Sequence, residues 1–327
     1  MHNKSINAGV IGVGRMGQYH VGVYSELTGV NLVGVVDVSE ARGAEIAKKY
    51  RTQSYKDFRS LFGKVDVVSI AVPTSMHYAV AKECLQAGVH CLLEKPITNN
   101  LAEAEELFNI AAKNGAILHV GHVERFNGAV QELSKAVRDP IFIESRRLGP
   151  FDPRIKDDGV VLDLMIHDID IILNLVKSPV VEINAIGATV FSDKEDVVNV
   201  QLRFENGCLA NILASRATQE KIRTLAVTQP SEYIFLDYTT QDILVHRRAS
   251  SQHQLGIQEL KYTQESLIER IFVHRENPLK LELRHLIDCV ANGADRRISV
   301  ENELMSLRVA LSVLDRLTPV RLNAVHS

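Results

Sequence analysis

The 327-residue sequence predicts a two-domain chain, an α/β domain on a parallel sheet followed by an α+β domain on an antiparallel sheet. Three observations lead there. Up to about residue 122, short and continuously apolar runs alternate with amphipathic helical stretches, the mark of strands covered by helices on both faces. Beyond residue 177, apolar and polar residues alternate strictly, as in strands with one face buried. The length itself exceeds what one ordinary hydrophobic core organises. The change of pattern sets the expected division at residues 1–122 and 123–327.

The first strand, INAGVIG, runs into Gly12-Val13-Gly14-Arg15-Met16-Gly17, and MGQYHVGVYSEL continues with helical spacing. The next strand, NLVGVVD, ends in Asp37, twenty residues after Gly17. In a chain with 19 glycines the G-x-G-x-x-G pattern alone is weak. Set between a strand and a helix, with an acid closing the following strand, it fits a dinucleotide site. Gly12 allows the tight turn, Gly14 lets a pyrophosphate approach the backbone, and Gly17 lets helix and strand pack closely. Arg15 and Met16 open the helix whose N-terminus attracts phosphate. Asp37 would accept hydrogen bonds from ribose hydroxyls and repel a 2′-phosphate, so the expected cofactor is NAD, not NADP.

Three further strands, VDVVSIAV, HCLLE and AILHVG, are separated by the helical stretches SMHYAVAKECLQAG and LAEAEELFNIAAKNG; SEARGAEIAKKY follows the second strand. Thr74 and His77, just after a strand, are candidate cofactor contacts, although capping a helix is the simpler role for Thr74 or Ser75. Glu94-Lys95-Pro96 closes another strand, at the sheet edge where ligands of such folds bind. A surface Lys–Glu pair is an equally good reading from spacing alone. His119-x-x-His122 has no third ligand in sequence, so no metal is expected there.

GVVLDLMIHDIDIILNLV, residues 159–176, reads as a helix that is apolar almost all round. Asp163, His167, Asp170 and Asn174 interrupt it within an arc of roughly 60° at about 100° per residue, and Asp168 points elsewhere. An Asp and a His at i, i+4 suit a general base whose tautomer a carboxylate fixes. A satisfied polar network that docks the helix explains the stripe as well. Arg146, Arg147, Arg154 and Lys156 lead into this helix and could hold phosphate, or simply decorate a solvated loop. Further on, VVNVQLRFE alternates cleanly, Asn206-Gly207 supplies a two-residue turn, and CLANILAS returns as the partner strand. KIRTLAVTQ, SEYIFLDY and DILVHRR continue in that style, and helices near 279–292 and 300–317 close the chain.

A net charge of −3 with 24% charged residues gives no footprint for nucleic acid. Four cysteines without a C-x-x-C pair read as reduced thiols of a cytoplasmic protein. The polar start is no signal peptide, and three Asp and one His within 159–176 argue against a membrane span.

These stretches together resemble the Gfo/Idh/MocA oxidoreductase family over nearly the whole chain. The carrying motifs are GVIGVGRMGQYH, GVVDVS, AVPTSMH, the E-K-P of LEKPI, and D-x-x-x-H-x-x-D in DLMIHDID. The resemblance implies a Rossmann domain joined to a domain with a large open antiparallel sheet, and NAD(P)-linked oxidation or reduction of sugars, inositols and related polyols. It implies Lys95, Asp163 and His167 as catalytic residues and Asp170 as a substrate-contacting acid; the exposed face of the antiparallel sheet points to a homodimer or homotetramer. HVERFNGAV and RRLGPFDPRIKDDGVVLDLMIHDIDI are similar to nucleotide-sugar members that oxidise C3 of UDP-N-acetylglucosamine. That adds Arg125, Asn127 and Arg154 as substrate-binding candidates. Met165 departs from the family pattern, where glycine is frequent, and so is expected to reshape the pocket. Oxidation of a free sugar or inositol, transient oxidation in an NAD-dependent glycosidase, and a non-catalytic NAD-binding regulator are the alternatives.

Overall fold

The computed structural model describes residues 5–152, 158–248, 266–317 and 319–321. These residues form two compact units. In the first, β1 (Ile6–Ile11), β2 (Val30–Val36), β3 (Gln53–Tyr55), β4 (Val67–Ile70), β5 (His90–Glu94) and β6 (Leu118–Gly121) make one sheet. Helices α1 (Arg15–Glu26), α2 (Glu40–Tyr50), α3 (Thr74–Gln86) and α4 (Leu101–Lys113) lie between its strands in sequence. The order is β3-β2-β1-β4-β5-β6 and every pairing is parallel. Adjacent residues Leu92 and Leu93 are both fully buried, which requires cover on both faces of the strand. The strand order reverses between β1 and β4, and ligands of such sheets bind at that switch point. Strand β3 was not expected, because three half-exposed residues are too few to show a period.

The second unit contains α5 (Gly128–Ala136) and α6, whose helix runs Ile166–Val176. Its nine-stranded sheet comprises β7 (Phe142–Leu148), β8 (Val180–Thr189), β9 (Val197–Phe204), β10 (Leu209–Ser215), β11 (Ile222–Thr228), β12 (Glu232–Asp237), β13 (Asp242–Arg248), β14 (Ser266–Ile271) and β15 (Pro319–Arg321). The sheet is mixed, not purely antiparallel: β7 lies between β10 and β11 and runs parallel to β10, and β15 runs parallel to β8. Alternation in sequence reports which face is wet, not which way a neighbour runs. Val198, Val200, Leu202 and Phe204 face inward as their spacing requires. The β9–β10 connection is longer than two residues. Gly207 N donates to Phe204 O, and Gly207 takes φ +88°, so the turn centres on Glu205 and Asn206 and ends on a left-handed glycine.

Helices α7 (Pro278–Asn292) and α8 (Val300–Arg316) follow. Leu279, Leu283, Leu286 and Ile287 of α7 join the apolar cluster of Ile6, Ala8, Val10, Val21 and Tyr24, and α7 packs on α1 and β5. Residues 158–166 and 276–312 belong to the first unit, which otherwise ends at Phe126. The expected division at residue 122/123 is corrected accordingly. An amphipathic helix buries its apolar stripe against whatever sheet face is open, and its place in the sequence does not say which.

Within the second unit, Arg147 of β7 and Asp168 of α6 form a buried bidentate pair, Nε to Oδ2 at 2.7 Å and Nη2 to Oδ1 at 3.2 Å. Removing one partner strands a buried charge. Asp168→Ala should lower the free energy of unfolding by about 3–5 kcal/mol in denaturant titrations. The double change Asp168→Leu/Arg147→Met should cost markedly less than the single one.

Candidate active site

The turn between β1 and α1 is built for close approach. Gly12 has φ +85°, and a Cβ there would stand 2.6 Å from the carbonyl oxygen of Ala71. A Cβ on Gly17 would stand 1.8 Å from the carbonyl oxygen of Gly12, so only glycine lets α1 start this near the turn. Gly14, the N-cap of α1, has nothing within 4 Å of its missing Cβ. The first turn of α1 carries no acidic residue and no side-chain cap, which leaves its N–H groups for an anion. Arg15 and Met16 are exposed at the same turn. These residues fit the pyrophosphate of a dinucleotide.

Asp37 follows β2 and is buried. Its Oδ2 accepts from Val13 N at 3.0 Å and its Oδ1 from Ser39 N at 2.8 Å. Arg42, in the first turn of α2, adds Nε to Oδ2 at 3.2 Å and Nη2 to Oδ1 at 3.1 Å. Burial pushes the Asp37 carboxyl up, but the Arg42 bond and the two backbone donors outweigh it and hold the group below the usual carboxylate range. Arg42 was not singled out from sequence, although its position five residues after the acid places it in the first turn of the next helix.

Lys95 follows β5, and its Nζ donates to Asp163 Oδ1 at 3.1 Å and to the Asp163 carbonyl. Both side chains are mostly buried, at 15% and 21% exposed. The carboxylate expected to orient His167 receives the lysine. Glu94, expected at the cofactor, turns into the core: its Oε1 lies 2.7 Å from His20 Nε2, while His20 Nδ1 lies 2.9 Å from Ser69 Oγ. Burial raises the Glu94 carboxyl, yet the bond and charge of His20, with Lys95, bring it below its ordinary value. His77 is also a correction. Its ring nitrogens meet the carbonyls of Pro96 at 2.8 Å and Val72 at 3.0 Å, and burial lowers its pKa, so it braces the loop after β5. Thr74 makes no cap to α3; its Oγ1 donates to Asp158 Oδ2 at 2.7 Å. His20, Ser69 and Asp158 had no signal in spacing, because each acts through a partner distant in sequence.

The helical run 161–176 is not uniform. Residues Val161–Met165 form a π turn, and α6 continues from Ile166. A π turn advances each residue less than the 100° of an α-helix, so the narrow arc expected for Asp163 with the later residues does not hold. Such turns are frequent at functional sites. His167 is half-buried in the first turn of α6, and Asp170 is buried. Asn174 bonds the Asp170 carbonyl one turn back at 2.8 Å, a local role. Met165 is fully buried and packs in the core, so it does not reshape a pocket by projecting into it.

The remaining substrate candidates divide. Arg125 pairs with Glu303 at 2.9 Å, and Asn127 caps α5 by accepting from Ala129 N at 3.0 Å. Arg147 is held by Asp168, and Arg146 lies on the opposite, exposed face of β7. Arg154 and Lys156 lie outside the described residues. Among the described residues no helix is long and apolar enough to cross a membrane.

The family model described as "Oxidoreductase family, NAD-binding Rossmann fold" (GFO_IDH_MocA) matches residues 6–122, and the GFO/IDH/MocA C-terminal domain model matches 128–228. A UDP-N-acetylglucosamine 3-dehydrogenase of Acidithiobacillus ferrooxidans is 37% identical over 246 residues, 75% of this chain and 78% of its own. A solved structure of that enzyme has a TM-score of 0.86 and 32% identity, covering 95% of this chain and 97% of the other. A myo-inositol 2-dehydrogenase of Thermotoga maritima is 28% identical over 319 residues, 91% of this chain and 92% of its own. The chain belongs to the Gfo/Idh/MocA family of NAD-binding oxidoreductases, with NAD as its cofactor.

Asp37 should set the choice between nicotinamide cofactors. The unmodified protein should bind NAD more tightly than NADP in calorimetry. Asp37→Ala should weaken NAD and relax that discrimination, because the guanidinium of Arg42 is then free for a 2′-phosphate. Equal affinity of the unmodified protein for both would refute the assignment.

Proposed function

We propose that this chain oxidises C3 of the sugar of UDP-N-acetylglucosamine with NAD, giving the 3-keto sugar. The observation that carries the catalytic reading is the Lys95–Asp163 contact, which joins groups 68 residues apart after the carboxyl end of a parallel strand. Kinship to the Acidithiobacillus dehydrogenase supports the substrate. Bound NAD supplies the hydride acceptor. His167 takes the proton of the reacting hydroxyl as general base. Lys95 donates a hydrogen bond to the oxygen on which negative charge develops, and Asp163 holds the ammonium in place. Asp170 and Arg154 are the remaining candidates for holding the sugar nucleotide.

A second reading, oxidation of a free sugar or inositol, draws on the Thermotoga relative and on the commitment of Arg147 to Asp168. It has fewer cations to hold a diphosphate. A panel of UDP-sugars, free hexosamines and inositols, scored by NADH formation with a carbonyl trap, separates the two. UDP-N-acetylglucosamine should show the highest kcat/KM. Higher kcat/KM with myo-inositol would overturn the nucleotide-sugar assignment. Lys95→Met and His167→Asn should each lower kcat by about 10²–10⁴-fold while leaving NAD binding nearly unchanged. Near-normal turnover in either variant would return that residue to a structural role.

We also propose a cytoplasmic homodimer or homotetramer formed through the wet face of the second sheet. Phe142, Ile186 and Leu209 are exposed there, an apolar surface unusual for strands facing water. Light scattering should give a mass of two or four chains at micromolar concentration. A monomer would reject the interface.

A further inference from the structure

We infer that His119, His285 and Cys289 form a binding site for a thiophilic divalent cation of the zinc class, within the first unit and away from Lys95. His119-x-x-His122 lacked a third ligand in sequence, and the fold supplies two. Along β6, Leu118 and Val120 share one face, and His119 points to the other, in register with Leu92 of β5. Helix α7 packs on β5, and its His285 and Cys289 are one turn apart on the same side. One ligating atom from each of the three residues lies within 4.8 Å of the others. Cys289 Sγ is 3.8 Å from His285 Nε2 and 3.9 Å from Nδ1. Two imidazoles and a thiolate are a donor set that zinc takes in tetrahedral geometry, with bonds of about 2.0–2.3 Å. Closing the three ligands onto one ion requires the stacked His119 and His285 rings, 5.3 Å apart at their centroids, to turn their ring nitrogens toward it.

Two buried polar groups point the same way. His119 is 6% exposed, and its Nε2 is sealed from solvent without a hydrogen-bond partner. Glu282, one turn before His285, is 2% exposed, and both its carboxyl oxygens lack a partner. Buried atoms so placed cost about 1–3 kcal/mol each. His119, Glu282 and His285 border a cavity of about 20 Å³, room for one water. A cation held by His119, His285 and Cys289 would bind that water as fourth ligand, and the water would donate to Glu282. The bonds the ion must displace are long, from Arg297 N to His285 Nε2 at 3.3 Å and from Cys289 Sγ to the Asp295 carbonyl at 3.9 Å.

Binding expels one proton from the Cys289 sulfur as the metal–thiolate bond forms, with no change of oxidation state. Arg125, Arg296 and Arg297 oppose a dication. Glu303 already pairs with Arg125 at 2.9 Å and with Arg296 at 3.5 Å, and the thiolate adds a further negative charge. The ion would clip α7 to β6 and so serve stability, not the hydride transfer.

The test uses the untagged full chain, stripped by chelating resin and titrated with cobalt(II) and then zinc(II). Cobalt should produce a thiolate-to-cobalt absorption band saturating at about one equivalent per chain. Zinc should displace it with a dissociation constant below about 1 μM and raise the melting temperature. Cys289→Ser and His119→Asn should lose the band while retaining NAD binding. A metal-independent melting temperature together with no band in the unmodified chain would overturn the site. Equal uptake by a folded Cys289→Ser variant would do the same.

Discussion

An ammonium group at the carboxyl edge of a parallel sheet is useful only if something holds it, and here the Asp163 contact to Lys95 does so. Lys95 has a long, rotatable stem that water would leave mobile. Two acceptors from one residue, a carboxylate oxygen and a backbone carbonyl, fix its Nζ instead. That requires residue 163 to belong to the first unit, as the described residues 158–166 do. The π turn follows from the same demand. It breaks the α-helical spacing at Asp163, and regular helix resumes at Ile166, just before His167.

Beneath this edge, ionisable groups in the core are sorted by partner. Glu94 and Glu282 influence each other, and burial penalises both. Glu94 has His20 and stays ionised. Glu282 has no such donor, and burial pushes it well above the usual carboxylate range. In the second unit, the Arg147–Asp168 and Arg216–Asp196 pairs follow the rule that a buried charge keeps a bonded counter-charge. Asp196 also accepts from the backbone N–H groups of Val190, Phe191 and Ser192, which with Arg216 outweighs burial and brings it to about 2. These pairs set how strands and helices dock, a use of polar residues that the sequence alone presents only as isolated letters.

The parallel unit was largely legible in sequence, and so was the cofactor turn. Continuous apolar runs can only be strands buried on both faces, and Gly12, Gly14 and Gly17 answer local constraints set by atoms within a few residues or one neighbouring strand. The hairpin at Asn206-Gly207 was legible in place and wrong by one residue in length, since several turns accept an Asn-Gly pair. The sequence also supplied Lys95, Asp163 and His167 as candidates through family motifs.

Tertiary structure decided everything that depends on a partner far along the chain. It turned Glu94, His77 and Thr74 from cofactor candidates into braces, gave Arg125 to Glu303 and Arg147 to Asp168, and sent α7 to the first unit. It also carried His285 and Cys289 to His119 across more than a hundred residues. The physical reason is the same in each case. Periodicity and turn chemistry are local properties of the chain, whereas a buried hydrogen bond or ion pair is fixed only when packing has chosen which distant group is close enough to make it.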